Sequence, residues 1–244
     1  MLVRAVAVGE ADLVVTFFTR TDGKLSAMVR GARRSQKRFG GALEPIHGLA
    51  VRLADRGREM CTLEEARLER PRTTLTSDLA RMDVAGHALR WVRHLCPPRT
   101  PEPGVWAELV ALLDALDRLD AGMPPEGHLA AFGLRLLAEM GYALDLGACV
   151  RCGKPCPPGR PAFVDAARGG LVCMACGGAR RAISGDLREA AVTLVTGGPV
   201  LLAAAAASEL VELVEEAMAA HASFDATGHG GEGGDGGRGG PRPR

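Results

Sequence analysis

The stretch "LVVTFFTRTDGKLSAMVRGARRSQKRFGG", Leu13 to Gly41, changes character halfway along. The runs "LVVTFFT" (13–19) and "KLSAMVR" (24–30) are short and largely apolar, and "RTDG" between them has the composition of a turn ending on glycine. This predicts two strands joined by that turn. Phe17 and Phe18 are neighbours, so on a strand they point to opposite faces. One is expected in the core and the other on the surface. From Arg30 onward the chain turns basic. Arg30, Arg33, Arg34, Lys37 and Arg38 follow one another with no acid among them, and Lys24 stands close by.

Outward from this stretch, "GLAVRLA" (48–54) alternates apolar with polar or small residues. "ADRG" then leads into a further strand candidate, "EMCTLEEARL" (59–68). Several short strands separated by glycine turns suggest a small barrel or sandwich over residues 1–70. Positive charge is concentrated in this part. Met1 to Met60 holds 11 Lys and Arg against 6 acids, while the 244-residue chain carries a formal net charge of only +1. A local excess of this kind fits an anionic partner. Arginine grips phosphate with a planar fork, and Gly31, Gly40 and Gly41 would let backbone amides approach an anion. Lys24, Arg30, Arg33, Arg34, Lys37 and Arg38 are therefore the candidate nucleic-acid contacts. The plainer alternative is a solvated charged loop. Phe39 is placed either to stack on a base or to anchor the core. Aromatic residues make up only 4% of the chain, so electrostatics is expected to dominate over stacking.

After Pro71 the pattern changes to helical spacing. Leu75, Leu79, Met82, Leu89 and Val92 recur at roughly that spacing until "PPRTPEPG" (97–104) breaks the helix. A second helix is expected at about 105–119, with Trp106, Leu109, Leu112, Leu113 and Leu116 on one face. A third carries Leu129, Phe132, Leu136, Leu137 and Met140 and ends near Gly141. Two more are expected at about 184–196 and 199–222. The domain expectation is thus a β-rich module at 1–70 and a helical domain at 71–225, interrupted at about 147–180. The glycine-rich end, 226–244, has nothing to bury and reads as a disordered tail.

The interruption is "CVRCGKPCPPGRPAFVDAARGGLVCMAC". Cys149 and Cys152 form one C-x-x-C hook, and Cys173 and Cys176 form the other, with 20 residues between the hooks. Each hook sets two thiolates on one tight turn, and two hooks complete a tetrahedron around Zn²⁺. Gly153 and Gly177 follow the hooks and suit such turns. Four thiolates leave no open coordination position, so the expected zinc is structural rather than catalytic. Free thiols or a redox pair are the alternatives. Cys156 is a spare thiol beside the site, and Cys61 and Cys96 read as buried small hydrophobes.

The apolar fraction is 47% and the charged fraction 24%, ordinary values for a globular chain. The longest apolar run, "VLLAAAAA" (200–207), falls far short of a membrane span. No targeting signal is visible, and a cytoplasmic location is expected. No G-x-S-x-G, H-E-x-x-H or P-loop is present. His87 and His94 lie one heptad apart on an expected helix, without a matching carboxylate pattern. A non-enzymatic role is expected. An RNA-binding module joined to a zinc ribbon is the alternative that composition leaves open.

The "GEAD" turn, the stretch from Thr19 to Lys24 and the segment "GARRSQKRFGGALEP" resemble the N-terminal domain of the bacterial RecO family of DNA repair proteins. "EMGYALDLGACVRCG" with the later C-x-x-C is similar to the same family. Departures occur at Leu13, where the family often has Arg, and at Ile46, where it often has Phe. The resemblance implies an α+β chain: an OB-fold barrel, then a helical domain carrying a four-cysteine, zinc-ribbon-like insertion. It implies a recombination mediator, associated with the nucleoid, that binds single- and double-stranded DNA and anneals complementary strands. Its implied partners are RecR, often RecF, and the single-stranded DNA-binding protein, with RecA recombinase loaded as the outcome. Some members lack the cysteines, which implies a structural role for the metal.

Overall fold

The computed structural model describes residues 1–32, 43–55, 57 and 60–222. The tail expected at 226–244 lies outside the described residues. Five strands open the chain: β1 (Leu2–Val8), β2 (Asp12–Thr19), β3 (Gly23–Val29), β4 (Gly48–Ala54) and β5 (Cys61–Arg70). The first three form an antiparallel meander, with Phe18 opposite Lys24 and Thr19 opposite Gly23 at the hairpin end. The Thr19 hydroxyl closes the turn, accepting from the Asp22 N–H at 3.0 Å and donating to the Gly23 carbonyl at 3.0 Å. β3 then pairs in parallel with β5 through Ala27 and Cys61, and β5 pairs antiparallel with β4. The sheet order is β1-β2-β3-β5-β4. That path, with its single parallel junction, is the Greek-key order of an OB-fold. Among the described residues β1 and β4 do not pair with each other, so the barrel is partly open.

The barrel encloses Leu2, Val15, Phe17, Ala27, Val29, Cys61 and Leu63. Phe18 was expected to be the surface member of its pair if Phe17 was core. Both are fully buried. Phe18 leaves the barrel on the opposite face and enters a second, larger core, where its ring lies 5.9 Å from that of Trp106. A sheet face reads as solvated only until another layer covers it.

That layer is helical: α1 (Thr73–Thr76), α2 (Leu79–Leu95), α3 (Pro103–Arg118), α4 (Glu126–Glu139), α5 (Gly185–Val195) and α6 (Ala204–Ala222). The central helix α4 packs against α2, α3, α5 and α6, which is why most of its residues are buried. Leu109, Leu112, Leu113 and Leu116 of α3 face this core as expected, as do Leu129, Phe132, Leu136 and Leu137 of α4. The expected face of the first helix is corrected in part. Leu75, Leu89 and Val92 are buried, but Leu79 is 84% exposed and Met82 is exposed as well. Asp78 caps α2, its Oδ1 accepting from the Arg81 N–H at 3.1 Å, so Leu75 belongs to the separate turn α1 and cannot set the helical phase of α2. The last helix starts at Ala204 rather than near 199.

Several contacts fix the barrel on the helices. The Arg99 N–H donates to the Lys24 carbonyl at 2.9 Å, and the Arg99 guanidinium pairs with Asp55 at 2.7 Å. At Gly23 the α2–α3 loop passes so close that a Cβ would lie 2.0 Å from the Thr100 carbonyl oxygen. With φ at +66°, no other residue fits there without displacing that loop. Arg72, buried at the end of the barrel, reaches Asp114 of α3.

Candidate nucleic-acid interface and metal centre

The basic segment leaves the barrel at the end of β3. Arg30 is exposed, and the Gly31 N–H donates to Asp12 Oδ1 at 2.8 Å, which ties the root of the segment to β2. Leu43 packs against the barrel core at the return. Arg33, Arg34, Lys37, Arg38 and Phe39 lie outside the described residues.

Lys24 sits at the other end of β3 and is not beside Arg30. Six strand residues at about 3.3 Å each put them about 20 Å apart. Its ammonium is half-buried and donates to the Arg93 carbonyl in the last turn of α2. Burial lowers the Lys24 pKa first, and the nearby Arg93 charge adds to the shift. Helix C-terminal carbonyls favour a cation, so Lys24 holds the seam between barrel and helices.

The cysteines sit on a small second sheet, in the order β6-β8-β7-β9: β6 (Asp145–Cys149), β7 (Ala162–Asp165), β8 (Gly170–Leu171) and β9 (Arg181–Ile183). The first hook turns as the Gly153 N–H donates to the Cys149 carbonyl at 2.8 Å. The second turns through a 3₁₀ segment, Met174–Cys176, with the Gly178 N–H on the Cys173 carbonyl at 3.1 Å. Gly153 and Gly177 have φ of +71° and +105°, as their positions after the hooks led one to expect. The Arg151 guanidinium donates to the Cys176 carbonyl at 2.7 Å and braces one hook against the other.

The four sulfurs of Cys149, Cys152, Cys173 and Cys176 all lie within 4.8 Å of one another. Cys152 Sγ and Cys173 Sγ are 3.8 Å apart, far beyond a disulfide, and all four thiols are free. Sulfurs about 2.3 Å from the centre of a tetrahedron stand about 3.8 Å apart. The cluster can therefore hold a metal ion, and its donor set suits a soft tetrahedral one. The Cys149 thiol is pulled down to about 6, chiefly because the Cys173 N–H donates to its sulfur at 3.4 Å. Cys176 is pushed up to about 12 by hydrogen bonds with Cys173 and Cys152. Cys156 stays outside the cluster, its thiol facing the Arg160 carbonyl at 4.0 Å. Cys61 and Cys96 are buried, and burial pushes Cys96 up to about 12.

The geometry agrees with comparisons to known proteins. Residues 1–72 match the model of the recombination protein O N-terminal domain, and residues 76–196 match that of the C-terminal domain. The chain belongs to the RecO family of DNA repair proteins. It is 42% identical over 177 residues to a DNA repair protein RecO of Anaeromyxobacter sp. strain K, covering 72% of this chain and 68% of that one. The DNA repair protein RecO of Myxococcus xanthus is 37% identical over 178 residues, at 72% and 70% coverage. That of Geobacter sulfurreducens is 36% identical over 168 residues, at 69% and 67%. Family membership places this chain in DNA repair. Among the described residues no helix is long and apolar enough to cross a membrane. Leu13, where the resemblance led to an expectation of Arg, packs on the barrel core. Ile46 is buried among the helices with φ at +83°, and its carbonyl accepts from Arg72.

Sequence reasoning missed the His87 contact. His87 Nε2 lies 2.7 Å from Glu215 Oε1 on α6, and its ring meets Trp91 edge-on at 4.8 Å. The carboxylate stands 128 residues away, where no spacing rule reaches. Trp91 is fully buried beneath it, so this group packs helices together.

Proposed function

We propose that the chain is a recombination mediator without bond-making chemistry of its own. It binds single- and double-stranded DNA and anneals complementary strands. With RecR, and with RecF where that protein takes part, it helps load RecA onto strands coated by the single-stranded DNA-binding protein, in the cytoplasm at the nucleoid. Residues 1–70 are the nucleic-acid-binding domain. Residues 71–225 are the helical domain, whose insertion at about 147–180 holds a structural zinc on Cys149, Cys152, Cys173 and Cys176. The observation that carries this reading is an OB-fold barrel from whose β3 an acid-free segment of five basic residues departs. Phosphate contacts from such a segment give affinity without sequence preference and a steep dependence on salt.

Arg30, Arg33, Arg34, Lys37 and Arg38 make the phosphate contacts, and Lys24 fixes the barrel that presents them. Changing Arg33 and Arg34 together to Ala is expected to weaken binding of every oligonucleotide sequence alike. The slope of log affinity against log salt should flatten by about 1.4, at about 0.7 per lost contact on single strands. Fluorescence anisotropy across a salt series reads both. An unchanged slope would make the segment a solvated loop.

A further inference from the structure

Annealing presents an electrostatic problem that one basic segment does not solve. Two phosphate backbones repel each other, and at physiological salt a cation screens only over about 8 Å. A second cluster of basic side chains lies at the seam between β1, β3 and α2, at the opposite end of β3 from Arg30. Arg4 projects, exposed, from β1, which packs on α2. Arg90, Arg93 and His94 come from the last turns of α2, and Lys24 reaches in from β3 to the Arg93 carbonyl. These groups feel one another. Burial lowers the Arg93 pKa first, then Arg4 and Arg90 lower it further. His94 is lowered by burial, then by Arg93, Lys24, Arg90 and Arg4.

Carboxylates do little to balance this cluster. Among the described residues none pairs with Arg4, Lys24 or Arg93. Arg90 is engaged elsewhere, its guanidinium 2.7 Å from His87 Nε2 and 3.8 Å from Glu215, and belongs to the group that packs α2 on α6. The negative end of α2 accounts for cations in its own last turn. It does not account for Arg4, which arrives on a separate strand, and Lys24 already occupies a carbonyl there. Cations gathered from three elements repel one another unless an anion joins them.

We propose that Arg4, Arg93 and His94, set in place by Lys24, form a second phosphate-backbone site that holds the complementary strand during annealing. This rests on the nucleic-acid reading above. Lys24 marks the new site and Arg30 the root of the first, and these two residues lie about 20 Å apart along β3. The span from Arg30 to Lys24 exceeds the screening length of about 8 Å.

The test uses the full chain and an oligonucleotide short enough to occupy one site. Titration should give two bound oligonucleotides per chain. Arg4→Ala with Arg93→Ala should reduce this to one and slow annealing of two complementary oligonucleotides at least tenfold. Arg33→Ala with Arg34→Ala should also leave one. Arg4→Lys with Arg93→Lys should restore the second oligonucleotide, as a purely structural role for the guanidinium groups would not allow. A melting curve checks that each variant folds, and Arg4→Glu alone, at an exposed position, gives the same reading if the double variant does not. A wild-type stoichiometry of one would overturn the second site and leave the first intact. So would wild-type annealing by the Arg4/Arg93 Ala variant. No binding by the wild type would overturn the nucleic-acid reading itself, and this proposal with it.

Discussion

Cys173→Ser is expected to abolish metal binding at the cysteine cluster and to cost several kilocalories of stability. A hydroxyl is a poor ligand for a soft tetrahedral ion, and the remaining three thiolates would hold it weakly. Structural zinc contributes about 10–16 kcal/mol in isolated finger peptides, where nothing else folds the segment. Here other contacts share the task. Val164, Leu171 and Ile183 belong to the same core as the helices. Arg188 of α5, buried, donates to the Leu146 carbonyl at 2.8 Å and to the Pro157 carbonyl at 2.6 Å. His221 Nε2 lies 3.2 Å from the Ala166 carbonyl. A loss of about 4 kcal/mol is expected, lowering Tm by about 8–16 °C for a chain of this size. The barrel keeps its own core of Leu2, Val15, Phe17 and Val29, so oligonucleotide binding through the basic segment should survive. Metal content and melting with and without chelator check this. A chelator that leaves the melting curve unchanged would remove the structural role of the metal.

Arg72→Ala is expected to destabilise the chain by about 3–5 kcal/mol, the range for removing one partner of a buried ion pair. Arg72 is 2% exposed. Its Nε and Nη2 donate to Asp114 Oδ1 at 3.1 and 2.9 Å, and its Nη1 donates to the Ile46 carbonyl at 2.6 Å. Its backbone N–H donates to His47 Nδ1 at 3.1 Å. Truncation leaves the Ile46 carbonyl unpaired beside a void, at a residue already held in a left-handed conformation. Among the described residues Asp114 then keeps Arg70, at 2.7 Å, as its ion-pair partner. The exposed pair Arg52–Glu65, at the same short distance of 2.8 Å, is the contrast. Arg52→Ala should cost no more than about 1 kcal/mol, because water screens the pair and both side chains lose entropy in making it. Urea denaturation of both variants reads the difference. Equal losses would mean that Arg72 does not fasten the barrel to the helices.

What the sequence made readable was local. The turn before Lys24 and the two cysteine hooks declare themselves because their chemistry lies within a few residues, and both are found in place. The helical faces of α3 and α4 are plain because leucines repeat over several turns. The face of α2 is misjudged at Leu79 and Met82 because Asp78 starts a new helix and resets the phase. Long-range features left no local mark. The parallel pairing of β3 with β5 joins residues 34 apart in the chain, Ala27 with Cys61. Arg72 meets Asp114 across 42 residues, and Phe18 is covered by helices no strand pattern announces. The cations at the seam escaped notice for the same reason, since Arg4 and Arg93 look isolated in the sequence.

The central claim is that this chain brings complementary strands together, and one measurement tests it most directly. Two complementary oligonucleotides, labelled as a quenching pair and coated with the cognate single-stranded DNA-binding protein, are mixed with and without the chain. Rapid quenching that depends on the chain is the expected result. DNA binding that stays intact while the coated strands remain apart would contradict the claim and leave a general nucleic-acid-binding module.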